Sequence, residues 1–153
     1  MYYSGQEIVE IAVRIEENGN EFYMAAASKI TGNNDIKGLF LDLAEKEIQH
    51  ISIFQKLFEK FNTESFDFSS EDASAYINHL AESHIFGKPE SGKQLANKLK
   101  SPKEGLKLAY RFENESVAFY TELLKYTRSD SKPLVQQIIE EEKEHAAEIE
   151  KFL

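Results

Sequence analysis

The chain has 153 residues, a formal net charge of −9 and no cysteine. The length suits one domain with its own core, and the missing thiols exclude disulfides, thiolate metal sites, iron–sulfur clusters and cysteine nucleophiles. The acidic balance argues against nucleic acid or an anionic membrane as the main partner.

The first segment with helical periodicity opens at Ser4 and Glu7, spaced as a capping box. MYYSGQEIVE lacks the basic and apolar regions of a signal peptide. The helix extends to about Lys29 with an apolar stripe of Ile8, Ile11, Ile15, Phe22 and Ala26. TGNND (31–35) is a turn that offers Asn34 and Asp35 as caps for a second helix. That helix runs from about Ile36 to Phe61 through Leu39, Leu43, His50, Phe54 and Phe58. Then comes polar NTESFDFSSED, a candidate helix from Ala73 to Ser83, the breaker cluster FGKPESGK, and Ser91 to Gln94 as the cap of one more short helix. Ser101-Pro102-Lys103-Glu104 joins a capping box to a proline at the first helical position. It starts a third long helix that ends near Thr127. Asp130 or Ser131 caps the fourth, which has Pro133 near its start and continues to the chain end. No apolar run reaches the roughly 18–20 residues that span a bilayer, and a cysteine-free chain of this kind is expected in the cytoplasm.

These elements predict an all-α fold, a single domain over 1–153. Hairpin one covers about 4–61, a crossover covers about 62–100, and hairpin two covers about 101–153. Nearly 40 residues are too many for a tight helix–helix turn and suit a crossover that carries the chain back along a four-helix bundle, the connectivity of ferritin-like bundles. The halves also repeat. AVRIEENGNEFY (12–23) and AYRFENESVAFY (109–120) share Ala, Arg, Glu, Phe and Tyr in register, and LAEKEIQH (43–50) follows the apolar–acidic spacing of IIEEEKEH (138–145).

Within the repeat a glutamate precedes a histidine by three residues twice, Glu47–His50 and Glu142–His145, and each pair follows a lone glutamate, Glu16 or Glu113. Residues three apart share a helix face. The turn lies midway between Glu16 and Glu47 in one half and between Glu113 and Glu142 in the other, so each hairpin sets its lone glutamate level with its Glu-x-x-His. One Glu from each of two helices and a Glu-x-x-His from each of the other two build a two-metal carboxylate centre. Four carboxylates in a bundle core repel one another and lose solvation, and two divalent cations would nearly cancel their charge. Oxygen-rich ligation with one imidazole per metal suits iron or manganese, with zinc left open.

The neighbours of these residues allow more than one reading. Gly19 and Ser116 stand three residues after the lone glutamates, either to keep room for metal and oxidant or to let helices approach closely. Tyr23 and Tyr120 follow the same glutamates by seven. They either fill the core with a hydroxyl hydrogen bond or contact a ligand carboxylate. Glu17, Glu45, Glu115, Glu140 and Glu144 read as solvated faces. Glu141 could pair with His145, but its counterpart in the first half is Lys46, which favours Glu142. His79 and His84, in the crossover without acids at ligand spacing, read as surface or interface residues. The phenylalanines Phe66, Phe68 and Phe86 cover either the bundle or a partner subunit.

On Glu16 in RIEENGNEFY, Glu47 and His50 in LAEKEIQH, Glu113 in RFENESVAFY, and Glu142 and His145 in EEEKEH, the chain resembles the ferritin-like di-iron superfamily, closest to its rubrerythrin-related branch. The resemblance covers the four main helices. It implies two iron ions bridged by Glu47 and Glu142, with Glu16 and Glu113 as terminal ligands and one histidine on each iron. It also implies reaction with dioxygen or hydrogen peroxide, and a homodimer. Two departures stand out. Rubrerythrins carry a cysteine-bound iron domain that feeds electrons, so this chain would need an external donor. They also carry a glutamate linked to peroxide chemistry where this chain has Ser116. A storage cage is not expected, since the chain ends without a fifth helix. The expectation is therefore a di-iron oxidoreductase, with a non-catalytic iron-handling protein as the alternative and a purely structural bundle as a third reading.

Overall fold

The computed structural model describes residues 5–59 and 71–153, and within them the chain forms six α-helices. They are α1 (Gly5–Lys29), α2 (Asn34–Glu59), α3 (Glu71–Ser83), α4 (Ser91–Asn97), α5 (Pro102–Lys125) and α6 (Lys132–Glu150). Ser4, Phe61, Phe66, Phe68 and most of the polar stretch after α2 lie outside the described residues. α1 packs along α2 and α5 along α6, and the two hairpins face each other through α1 against α5 and α2 against α6. The crossover contributes α3, which rests on α5, and α4, which rests on α1. This is the ferritin-like helical bundle with its long helical crossover.

Local chemistry sets the boundaries. Gly32 takes the left-handed φ of 77° in the first turn, a conformation that costs glycine little. The cap of α2 is Asn33, whose Oδ1 accepts from the Ile36 N–H at 3.1 Å. Asn34 and Asp35, the expected caps, lie within the first turn of the helix instead. Ser101 caps α5 by accepting from the Glu104 N–H at 3.2 Å, and the Glu104 carboxylate reaches back one residue further, to the Lys100 N–H at 2.7 Å. Ser131 occupies the cap position of α6, but its side chain makes no capping bond.

The apolar stripe expected for α1 is buried, and so are Leu43 and Phe54 of α2. Phe22, Phe40, Phe86 and Phe112 form an aromatic layer with Tyr23 beside them; the Phe86 and Phe112 rings come closest, 4.7 Å between centroids. Burying each such ring removes 150–250 Å² of apolar surface from water, so the layer is a main source of cohesion between hairpins and crossover. Phe86 thus covers the bundle itself.

Buried polar groups fasten the crossover. Asn18 donates through Nδ2 to the carbonyls of Phe86 and Lys88, both at 2.8 Å, and its Oδ1 accepts from the Gly92 N–H at 3.3 Å. Lys29 donates to the carbonyls of Ala96, Asn97 and Leu99 at the end of α4, where a helix leaves unpaired acceptors and negative charge. Glu115 is not on a solvated face. It is half-buried, accepts from the Ile85 N–H at 2.7 Å and pairs with Arg111 at 2.8 Å. No described helix is long and apolar enough to cross a membrane.

Candidate metal centre

The heights inferred from turn positions meet in the middle of the bundle. Glu16 comes from α1, Glu47 and His50 from α2, Glu113 from α5, and Glu142 and His145 from α6; none is more than 1% exposed. Their ligand atoms fall into two overlapping groups. Glu16, Glu47, His50 and Glu142 make one, and Glu47, Glu113, Glu142 and His145 make the other, with all atoms of a group within 4.8 Å of one another. Glu47 and Glu142 belong to both, so two ions placed here would share them. Each ion would meet three carboxylates and one imidazole.

Both imidazoles turn Nδ1 inward. His50 Nδ1 lies 2.6 Å from Glu142, 3.3 Å from Glu16 and 3.8 Å from Glu47. His145 Nδ1 lies 3.5 Å from Glu113, 3.7 Å from Glu47 and 3.8 Å from Glu142. The rings stack at 5.6 Å with 20° between their planes. Each tyrosine serves the opposite hairpin. Tyr23 of α1 donates to Glu113 at 2.5 Å, and Tyr120 of α5 donates to Glu16. The crossed bonds fix one oxygen of each lone carboxylate and turn the other towards the centre, Glu16 Oε2 against His50 Nδ1 at 3.3 Å and Glu113 Oε2 without a hydrogen bond.

The fit to metal rests on atoms without a partner. Both oxygens of Glu47 and of Glu142, Oε2 of Glu113 and Nδ1 of His145 are buried with no hydrogen bond. The close His50–Glu142 approach is an ion pair rather than an aligned hydrogen bond. Buried polar atoms are nearly always satisfied, and orphaned carboxylate oxygens cost stability. A cluster of orphans around one point is what a divalent ion would resolve.

Charge tells the same story. Burial pushes the Glu47 carboxyl upward, as do Glu16 and Glu142; burial and Glu142 do the same to Glu113. Burial opposes a charged His50, yet Glu142 and Glu16 hold its imidazolium up to about 12. Burial likewise opposes charge on His145, and Glu113 and Glu142 raise it to about 10. Glu142 goes the other way. Burial resists its charge, but the adjoining Glu113 carboxyl and the charge on His50 keep it well below the usual carboxylate range. Without metal, two imidazoliums therefore stand in for the cations.

This has a consequence for pH. Both histidines lie above their ordinary 6.5, so each carries a proton at neutral pH that must leave before Nδ1 can bind a metal. Their own contribution to the metal-free fold is complete below pH 6.5 and fades towards pH 10 for His145 and 12 for His50. Metal binding gains over the same window. Affinity for a divalent ion is expected to rise from pH 6 to pH 8, with the two imidazole protons released per pair of ions bound and further protons from the raised Glu47 and Glu113 carboxyls. Calorimetry in buffers of different ionisation enthalpy counts them, and a pH-independent affinity would contradict the assignment.

The structure decides the open reading of Gly19 and changes those of His84 and Glu141. A Cβ on Gly19 would stand 2.6 Å from the Phe112 ring, so an aromatic ring fills that space and close packing explains the glycine. His84 is buried rather than at a surface. Its Nδ1 accepts from the Phe86 N–H at 3.0 Å, and its Nε2 lies 3.0 Å from the Ser116 hydroxyl. Burial lowers it to about 3, which makes it a neutral Nε2–H donor. Glu141 bonds His50 rather than His145, with Oε2 at 2.7 Å from Nε2. His79 is exposed. Periodicity could not have found Glu141, which is a neighbour only through the packing of α6 on α2. The signal available was chemical: a ligating imidazole needs an acceptor on its other nitrogen.

A helical bundle with four carboxylates and two imidazoles around two overlapping positions defines a ferritin-like di-metal carboxylate protein. Its fold matches the crystal structure of a candidate ferritin-like diiron-carboxylate protein from Thermotoga maritima. The TM-score is 0.68 and the identity 28%, over 98% of this chain and 94% of that one. The rubrerythrin family model matches residues 7–153, and the chain belongs to that family. No curated protein matches it.

Proposed function

We propose that the chain is a di-iron oxidoreductase that reduces hydrogen peroxide or dioxygen with electrons from an external donor. The observation that carries this reading is the set of buried, unpartnered carboxylate oxygens shared between two positions. Oxygen-rich ligation with one imidazole each favours iron or manganese over metals that prefer thiolates. When bound, the iron pair would supply electrons to a small oxidant and hold it.

The residues divide the remaining work. Glu47 and Glu142 span both positions, while Glu16 and Glu113 close the ends. Tyr120 and Tyr23 keep those end carboxylates oriented, and burial with the adjoining carboxylates raises both phenols, so they stay protonated donors. The ligands are sealed from solvent, so the oxidant must be small. The chain has no thiol to hold an electron-feeding iron site, so in this reading the electrons come from an external donor.

Ser116 favours a second reading, iron handling without turnover. Its hydroxyl lies against His84 and offers the centre no further carboxylate. Iron-loaded protein, reduced without oxygen, separates the two. The oxidoreductase reading predicts repeated consumption of peroxide or dioxygen with an artificial electron donor, the iron staying bound. A single oxidation followed by release of iron to a chelator would replace it with iron handling.

A further inference from the structure

The sequence repeat makes the two halves of the centre look equivalent, but their surroundings are not. His50 Nε2 meets the carboxylate of Glu141 at 2.7 Å. Glu141 is itself held at its other oxygen by Gln137 Nε2 at 2.9 Å. Its repeat counterpart on α2 is Lys46, which cannot accept a hydrogen bond and instead faces Glu148 at 3.8 Å. Among the described residues, every carboxylate paired with His145 approaches Nδ1, and none reaches Nε2.

The difference acts on the tautomer. An acceptor at Nε2 fixes the proton of a neutral imidazole there and leaves the Nδ1 lone pair pointing at the carboxylates. It also raises the basicity of that lone pair. The neutral His145 ring has no such instruction. Among the described residues, no carboxylate at its Nε2 orients the ring.

Resting on the di-metal reading above, we infer that Glu141 is a positioning residue that makes the two metal positions unequal. The position formed by Glu16, Glu47, His50 and Glu142 loads first and holds its ion more tightly than the position at His145. Partners of this kind change metal affinity by roughly tenfold to a hundredfold. The gap between first and second binding should be of that size.

The test uses cobalt(II) alone on the full-length, metal-free protein. Crystals grown with one equivalent are examined by anomalous scattering, and affinities are measured in solution against a competing chelator. The first cobalt should sit at the His50 side, and a second equivalent should fill the His145 side more weakly. Glu141→Ala should equalise the occupancies by weakening the first position, and Glu141→Gln, which keeps an acceptor without its charge, should fall between. The side chain is partly exposed, so both variants should fold, and circular dichroism confirms it. Equal occupancy in the wild type, preference for the His145 side, or an unchanged gap in Glu141→Ala would overturn the inference while leaving the di-metal centre standing. No cobalt at either position would remove the di-metal reading and the inference with it.

Discussion

Glu142→Ala is expected to abolish metal binding at both positions, whereas Glu16→Ala should empty mainly one. The difference follows from sharing: Glu142 belongs to both ligand groups and Glu16 to one. Losing Glu142 removes the shared anion that the paired cations need between them, so the expected loss is more than a hundredfold in affinity for each ion. Glu47→Gln should act like Glu142→Ala and is the cleaner test of the fold. Burial already pushes Glu47 towards its neutral form, and both its oxygens are unpartnered, so a neutral amide of the same shape should leave the metal-free helices intact. What disappears is stabilisation by metal. A ligand at a hundred times its dissociation constant contributes about 2.7 kcal/mol, and thermal unfolding with and without metal measures that increment. Wild-type metal occupancy in either variant would contradict the shared role.

The largest effect on stability without metal is expected at Gly92. A Cβ there would stand 2.0 Å from the Asn18 carbonyl oxygen and 2.7 Å from its carbon. Both are backbone atoms in the middle of α1 and cannot rotate away. Gly92→Ala must push α4 off α1 and break the hydrogen bond from the Gly92 N–H to the Asn18 side chain. The cost should be about 3 kcal/mol or more, a fall in melting temperature of roughly 6–12 °C for a chain of this size. Gly38 is the control. It also lies in a helix, but nothing is within 4 Å of its Cβ position, so Gly38→Ala should stabilise by up to about 1 kcal/mol. Equal effects at the two glycines would show that α4 does not cross α1 this closely.

The fold was legible because its information is local. Stripes such as Ile8–Ile11–Ile15 repeat at helical spacing, and Ser101 with Pro102 marks a helix start whatever lies around it. The six buried ligand candidates were legible for a related reason. A hairpin with a short turn converts sequence distance into height, and the second hairpin repeats the first. What could not be read depends on packing between segments distant in the chain. Gly19 accommodates the Phe112 ring, which comes from the other hairpin. His84 is buried because Asn18, Glu115 and Ser116 fasten the crossover over α1 and α5. Glu141 reaches His50 across the α2–α6 contact, and the repeat misdirects at that point, because its counterpart is a lysine. Asn33 caps α2 in place of Asn34 and Asp35 because the helix begins two residues earlier than its apolar pattern, a shift of the size expected at helix ends.

The central claim is that the buried carboxylates and imidazoles exist to hold a pair of metal ions. Metal content per chain after anaerobic reconstitution with ferrous iron tests it most directly, with an absorption spectrum recorded before and after oxidation. The account predicts about two irons per chain, as the paired Glu and Glu-x-x-His arrangement requires, and a near-ultraviolet charge-transfer band that appears on oxidation and bleaches on reduction. A chain that binds no iron under these conditions, and no manganese or zinc in its place, would contradict it.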